Sequence, residues 1–335
     1  MELYNVTFEF SSVSIRPQQN QIESSIYQLL YLLRIPLTVI NCIGVFGNIF
    51  LFIALIILRR KNIIAEAGVI VLQNQAIADF HNSLLTLLFT FGDLNNLPEI
   101  SQNFEWIRLF ACMFWHVQYP YWYFYCISVF NEMTLSLERY IAIVHPFQQY
   151  KFRKKIPLII TGNYLFHIIF NIPYIFYNDY DFENRRCFAR PFEGTFILIR
   201  LFAVIWAIEA YIVPGLGLIV FNFMTIRTLK ISDKMLGSHI TASNQKDLKS
   251  KAGRLLAKTA TTIGVSFFLT MTYCNYFFVT QSLDGSYDSY DVRNIFGIGL
   301  ATFHFSMNPL IILFFLPGIR RLIINLFTKQ KLEFI

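Results

Sequence analysis

Apolar residues dominate seven long runs, around 31–58, 67–91, 110–137, 156–177, 196–226, 255–280 and 292–316, and short polar stretches separate them. A bilayer core takes about 20 mostly apolar residues per helix, so each run predicts one span. Lipid offers no water to unpaired backbone groups, which leaves helices or a closed barrel. The runs lack the in–out alternation of barrel strands, so the pattern predicts seven helices.

Polar residues interrupt three of these runs at helical spacing. Gln75, Asp79 and Asn82 fall on one face of the second, Ser128, Glu132, Leu135 and Arg139 on one face of the third, and His304 and Asn308 one turn apart in the seventh. Charge is costly in lipid and usually functional there, so these faces should turn inward and meet.

Composition agrees with this pattern. Of 335 residues, 55% are hydrophobic, 15% are charged and 36 are phenylalanine, far from a soluble mix. With the N-terminus outside, most of the 28 basic residues fall on the cytoplasmic side, among them Arg59, Arg60, Lys151, Lys154, Lys155, Lys246 and Arg320. Acids such as Glu99, Asp179, Asp181 and Asp288 collect opposite. The positive-inside rule therefore gives N-out, C-in. The net charge of +7 is a topology signal that favours anionic membrane lipid as a partner and argues against nucleic acid. The start, "MELYNVTFEF", lacks a basic segment followed by an apolar core, so the first span is expected to direct insertion. The sequon at Asn5 is expected outside, where glycosylation occurs, although a chance tripeptide reads the same. Cys42, Cys126 and Cys274 fall inside spans and read as small buried hydrophobes. Cys112 and Cys187 fall on the oxidising side, where a bridge between them is expected over two free thiols.

"ERYIAIVHPF" at 138–147 resembles the signature of rhodopsin-like (class A) G-protein-coupled receptors. Gly47-Asn48, "NQAIAD" ending at Asp79, Pro214 and "NPLII" at 308–312 resemble further motifs of that family, in the right order. The resemblance implies an all-α membrane protein, a seven-transmembrane helix bundle over 28–316 with an extracellular segment 1–27. It also implies a short amphipathic eighth helix within the cytoplasmic part 317–335. Arg139 would be held by Glu138 at rest and released toward a heterotrimeric G protein, with Tyr140, Pro146, Phe147 and a basic loop 151–155 at the docking edge. Asp79, Ser128 and Asn308 match the family's sodium pocket, the one cofactor implied. His304, close by, is either a satisfied core histidine or a titrating one.

This chain also departs from the family. The fourth span has no tryptophan, the sixth no CWxP box, Asn222 stands for the fifth-helix tyrosine and Ile312 for the tyrosine of NPxxY. Cys112 precedes Arg139 by two more residues than usual, with Pro120 between to kink or bulge the helix. Glu132 stands where the family carries an apolar side chain. Two carboxylates in one dry bundle cannot both ionise cheaply, so Asp79 and Glu132 are expected to share a proton or cation; a neutral Glu132 bonded to a helix neighbour is the alternative.

Tyr121 stands where amine receptors carry their ligand-binding aspartate, which argues against an amine ligand. Tyr121, Trp122, Tyr273 and Tyr276 suit an extracellular peptide or small-molecule ligand. Glu209 is read as pairing with a ligand cation, with Arg200 or with a helix neighbour. The resulting expectation is an atypical receptor of the plasma membrane and not an enzyme, because the six histidines are scattered. A transporter using intramembrane acids is the alternative from another class.

Overall fold

The computed structural model describes residues 16–60, 66–91, 105–116, 118–175, 178–181, 186–189, 195–236, 244–284, 291–316, 319–320 and 322, with side chains in the first helix from Leu32 onward. Helix α1 runs Arg16–Arg60, α2 Glu66–Phe91, α3 Glu105–Phe110, α4 Tyr119–Val144 and α5 Gln149–Ile175. The strands β1 (Asn178–Asp181) and β2 (Arg186–Ala189) follow, then α6 Thr195–Ala207, α7 Val213–Leu236, α8 Asn244–Asp284 and α9 Val292–Phe315. Pairing α3 with α4 and α6 with α7 gives the seven expected spans. Among the described residues, five stretches are long and apolar enough to cross a membrane by composition: Leu32–Arg60, Pro146–Pro173, Arg200–Ser232, Ala257–Asp284 and Val292–Phe315. The other two spans, α2 and α4, carry the polar stripes and sit at the centre of the bundle, where neighbouring helices replace lipid.

Several boundaries differ from expectation. Helix α1 begins at Arg16, inside the segment read as an extracellular tail, because Pro17 suits a first helical turn and no breaker follows until Pro36. The basic loop expected at 151–155 is the first turns of α5. Lys151, Lys154 and Lys155 therefore stand exposed on a helix. The outer loop holds a short antiparallel hairpin, with Tyr180 opposite Cys187, within an otherwise all-α fold.

The helix irregularities have local causes. A π-helical segment, Ala111–His116, and Gln118 at φ 55° precede α4, with Pro120 in its first turn. They absorb the two extra residues between Cys112 and Arg139. A second π-helical segment, Ile208–Ile212, lies just before Pro214, whose ring and missing N–H disrupt the preceding turn.

Two cores fill the bundle. Toward the hairpin end, Tyr121, Trp122, Tyr125, Trp206, Phe267, Phe278 and Phe305 form an aromatic core. Toward the Arg139 end, Leu51, Leu55, Leu58, Val69, Leu72, Leu135 and Ile312 form an aliphatic one. Ile319 and Leu322 are buried against it and Arg320 between them is exposed; the rest of the expected eighth helix lies outside the described residues. Gly47 permits the close approach of α1 to α9, since a Cβ there would sit 3.1 Å from Pro309. Asn48 reinforces this contact by donating to the carbonyls of Gly44 and Phe305 at 2.9 and 3.4 Å.

Asp291 caps α9 by accepting from the Arg293 N–H at 2.7 Å, and the Arg293 side chain holds its carboxyl below the ordinary aspartate range. The contribution is complete above the ordinary aspartate value and disappears as pH falls through the lower, folded one. Asp291→Ala is expected to cost about 1 kcal/mol, read as a lower melting temperature near neutral pH that converges on the parent's in strong acid.

Candidate functional site

The stripes on α2, α4 and α9 meet between the two cores. Ser128 Oγ donates to Asp79 at 2.5 Å and Asn308 Nδ2 donates to Asp79 at 3.0 Å. The same Asn308 nitrogen lies 2.9 Å from Glu132 Oε1, so one amide joins both acids. His304 Nε2 is 2.7 Å from Glu132 Oε1, while His304 Nδ1 meets Ser266 Oγ of α8 at 3.0 Å. All of the side chains from α2, α4 and α9 are buried.

The Gln75 amide nitrogen is oversubscribed. It lies 3.0 Å from both Asp79 oxygens, 2.7 Å from Ser128 Oγ and 3.4 Å from Glu132 Oε1. An amide has two hydrogens, so it must choose among these acceptors. Glu132 Oε2, Gln75 Oε1 and Asn308 Oδ1 have no hydrogen-bond partner among the described residues. The cluster thus pairs a shortage of donors at two acids with unused oxygens nearby. A histidine that is neutral at Nδ1 accepts from Ser266 and still donates to Glu132; a protonated one donates to both. His304 is therefore satisfied in either state.

A second lattice laces α2, α4 and α5 where the fourth span lacks its tryptophan. Asn74 Nδ2 donates to Asn131 Oδ1 at 2.9 Å, Tyr164 Oη donates to Asn74 Oδ1 at 3.0 Å, and Asn163 donates to the Ile127 carbonyl at 3.3 Å. Asn222 reaches the Ala260 carbonyl at 3.4 Å, joining α7 to α8.

At the far end of α4, Arg139 Nε lies 2.9 Å from Glu138 Oε2, and both side chains are buried. Gly68 of α2 makes room for them, because a Cβ there would collide with the Arg139 guanidinium. Tyr140 bonds His145 at 3.1 Å and stacks on Phe221. Pro146 and Phe147 occupy the turn after α4, with Phe147 97% exposed. Gly68→Ala is expected to displace Arg139 and raise ligand-independent signalling severalfold; an unchanged basal rate at equal surface expression would show that the arginine's resting place is irrelevant.

The expected ligand residues do not form one group. Tyr121 and Trp122 are buried in the aromatic core, Trp122 packing edge-on against Trp206. Tyr273 packs between α8 and α9 against Phe277 and Phe296. Tyr276 corrects the expectation: it is 67% exposed and continues the outward stripe of Val265 and Leu269 on α8, so it faces lipid rather than a pocket. Glu209 turns to His167 of α5 at 3.3 Å, a neighbour the sequence reading did not foresee. Cys112 is disulfide-bonded, and Cys42, Cys126 and Cys274 are free. Cys187 lies on β2 with its side chain outside the described residues, as Asn5 is altogether.

Seven helical spans packed around buried acids, with an arginine paired to its neighbouring acid at one end, define a helical membrane protein. The chain belongs to the seven-transmembrane receptors of the rhodopsin family, whose family model matches residues 47–312. It is similar to melanopsin of Branchiostoma belcheri, at 24% identity over 224 residues that cover 64% of this chain and 29% of that protein. It is also similar to the cholecystokinin receptor of Xenopus laevis, at 28% identity over 146 residues, 42% of this chain and 29% of that protein. The chain spans under a third of the length of these relatives. It is a multi-pass membrane protein of that receptor family.

Proposed function

We propose that this receptor binds an extracellular peptide or small chemical near the hairpin end and activates a heterotrimeric G protein at the Arg139 end. Its place is the plasma membrane, with the N-terminus outside and Cys112 bridged to Cys187. The observation that carries the reading is the buried Glu138–Arg139 pair. A cation sequestered at the end of a central helix, and set free by helix separation, is a two-state element that a distant ligand can bias.

An amine ligand is disfavoured because Tyr121, not a carboxylate, lies in the aromatic core. A sodium ion suits the middle cluster by donor chemistry: Asp79, Ser128 and Asn308 would hold it, with the unpartnered oxygens of Gln75 and Glu132 at hand. Such an ion supplies a positive charge that steadies two neighbouring carboxylates. Anionic lipid suits the exposed lysines at the start of α5.

The test is a screen of peptide and metabolite libraries in cells carrying a promiscuous G-protein reporter. A reproducible response that disappears in Arg139→Ala is the expected result. Silence throughout, together with ion flux in liposomes bearing the purified protein, would favour the transporter reading.

A further inference from the structure

Cys126 on α4, His167 on α5 and Glu209 in the π-helical segment before α7 bring one sulfur, one nitrogen and one oxygen within 4.8 Å of one another. None belongs to the Asp79 cluster or to the arginine latch. His167 and Cys126 are fully buried, and the Glu209 side chain is 11% exposed. Both imidazole nitrogens of His167 and both carboxylate oxygens of Glu209 lack a hydrogen-bond partner among the described residues. The 3.3 Å approach of His167 Nδ1 to Glu209 Oε1 is close, but it does not have hydrogen-bond geometry. Four unsatisfied polar atoms inside a membrane bundle are costly.

We propose that these three side chains form a site for a zinc-class divalent transition metal, fastening the third, fourth and fifth spans together. Thiolate, imidazole and carboxylate are the ligand set that zinc prefers, whereas magnesium and calcium prefer oxygen alone. Tetrahedral bonds of about 2.0 to 2.3 Å place ligand atoms roughly 3.5 Å apart, so side-chain rotations of about an ångström complete the contact. The charges also balance: a dication with one thiolate and one carboxylate is neutral, which a low-dielectric interior tolerates. The thiol proton, and any proton on the carboxyl group, leaves to solvent as the metal enters. The π-helical turn directs Glu209 to this point. Asn171, one turn past His167, donates to the His167 carbonyl oxygen at 2.9 Å and steadies that part of α5. The fourth coordination position is left for water or an incoming ligand.

The experiment uses the full-length receptor in nanodiscs, stripped with a chelator and reloaded with cobalt or zinc. Stoichiometric metal is expected, with a thiolate-to-cobalt charge-transfer band that Cys126→Ser abolishes and Cys274→Ser leaves intact. His167→Ala should lower metal affinity about tenfold or more. Substoichiometric metal in the parent protein, or a band that survives Cys126→Ser, would overturn the proposal. Should the variants fail to fold, the parent decides it: zinc must raise the melting temperature in a chelator-reversible way that magnesium does not reproduce, and equal shifts with the two ions would overturn the site.

Discussion

Glu138→Gln is expected to raise ligand-independent nucleotide exchange about tenfold, while Arg139→Ala brings exchange to background. The carboxylate lies 2.9 Å from Arg139 Nε, and both groups are buried. Breaking a buried ion pair by removing one charge costs up to about 3 to 5 kcal/mol, and about 1.4 kcal/mol of that is already a tenfold change in population. Glutamine keeps the shape and removes the charge, so Arg139 is held more loosely but remains able to act. Alanine removes the arginine and leaves Glu138 buried without its ion-pair partner, which should also cost about 3 to 5 kcal/mol of stability. The opposite signs carry the inference. A pair serving only structure would lose stability in both variants and gain exchange in neither, measured as nucleotide exchange in membranes matched for receptor number.

The spans, the stripes and the latch were legible because each depends on local spacing. A carboxylate four residues from Gln75 must share its face, and Glu138–Arg139 are chain neighbours. The Asp79–Glu132 juxtaposition followed from two such stripes facing inward. Ser266 was hidden because a lone serine in an apolar run carries no periodic signal. Glu209's neighbour was hidden for another reason: a π-helical turn shifts register, so counting at 3.6 residues per turn aims the acid wrongly. The sequence does carry one signal for it: Asn163, His167 and Asn171 recur at intervals of four in α5 and mark a face turned inward. Tyr276 was misplaced because aromatic composition alone cannot separate the lipid face from the interior.

Around the fourth and fifth spans, where the family's tryptophan and tyrosine are missing, amides and the Tyr164 hydroxyl make the interhelical bonds. Asn74, Asn131 and Asn163 lace α2, α4 and α5, and Asn222 ties α7 to α8. Ile312 is an apolar part of the inner core, so the Arg139 end of α9 packs where the family would hydrogen-bond. The buried polar groups toward that end include the Glu138–Arg139 pair and, above it, the Asp79–Glu132 cluster.

That cluster supplies the other large effect, for which Asp79→Asn, Glu132→Gln and the double variant form a cycle. The two acids share the Gln75 and Asn308 nitrogens, so neither can change its charge without altering the donors left to the other. Each single substitution is expected to flatten the sodium and pH response of basal exchange, and the double variant to add little more. That is a coupling energy of about 1 to 3 kcal/mol in thermal stability, as contacting members of one network show. Glu132→Leu goes further, because it strips His304 Nε2 and Asn308 Nδ2 of an acceptor 2.7 and 2.9 Å away and leaves buried donors unpaired. Additivity within about 0.5 kcal/mol, with ion and pH responses intact in both single variants, would mean two independent acids that only happen to lie together. Strong coupling with flattened responses would instead make Glu132 a second half of the family's single-acid pocket, with His304 carrying its state to α8 through Ser266.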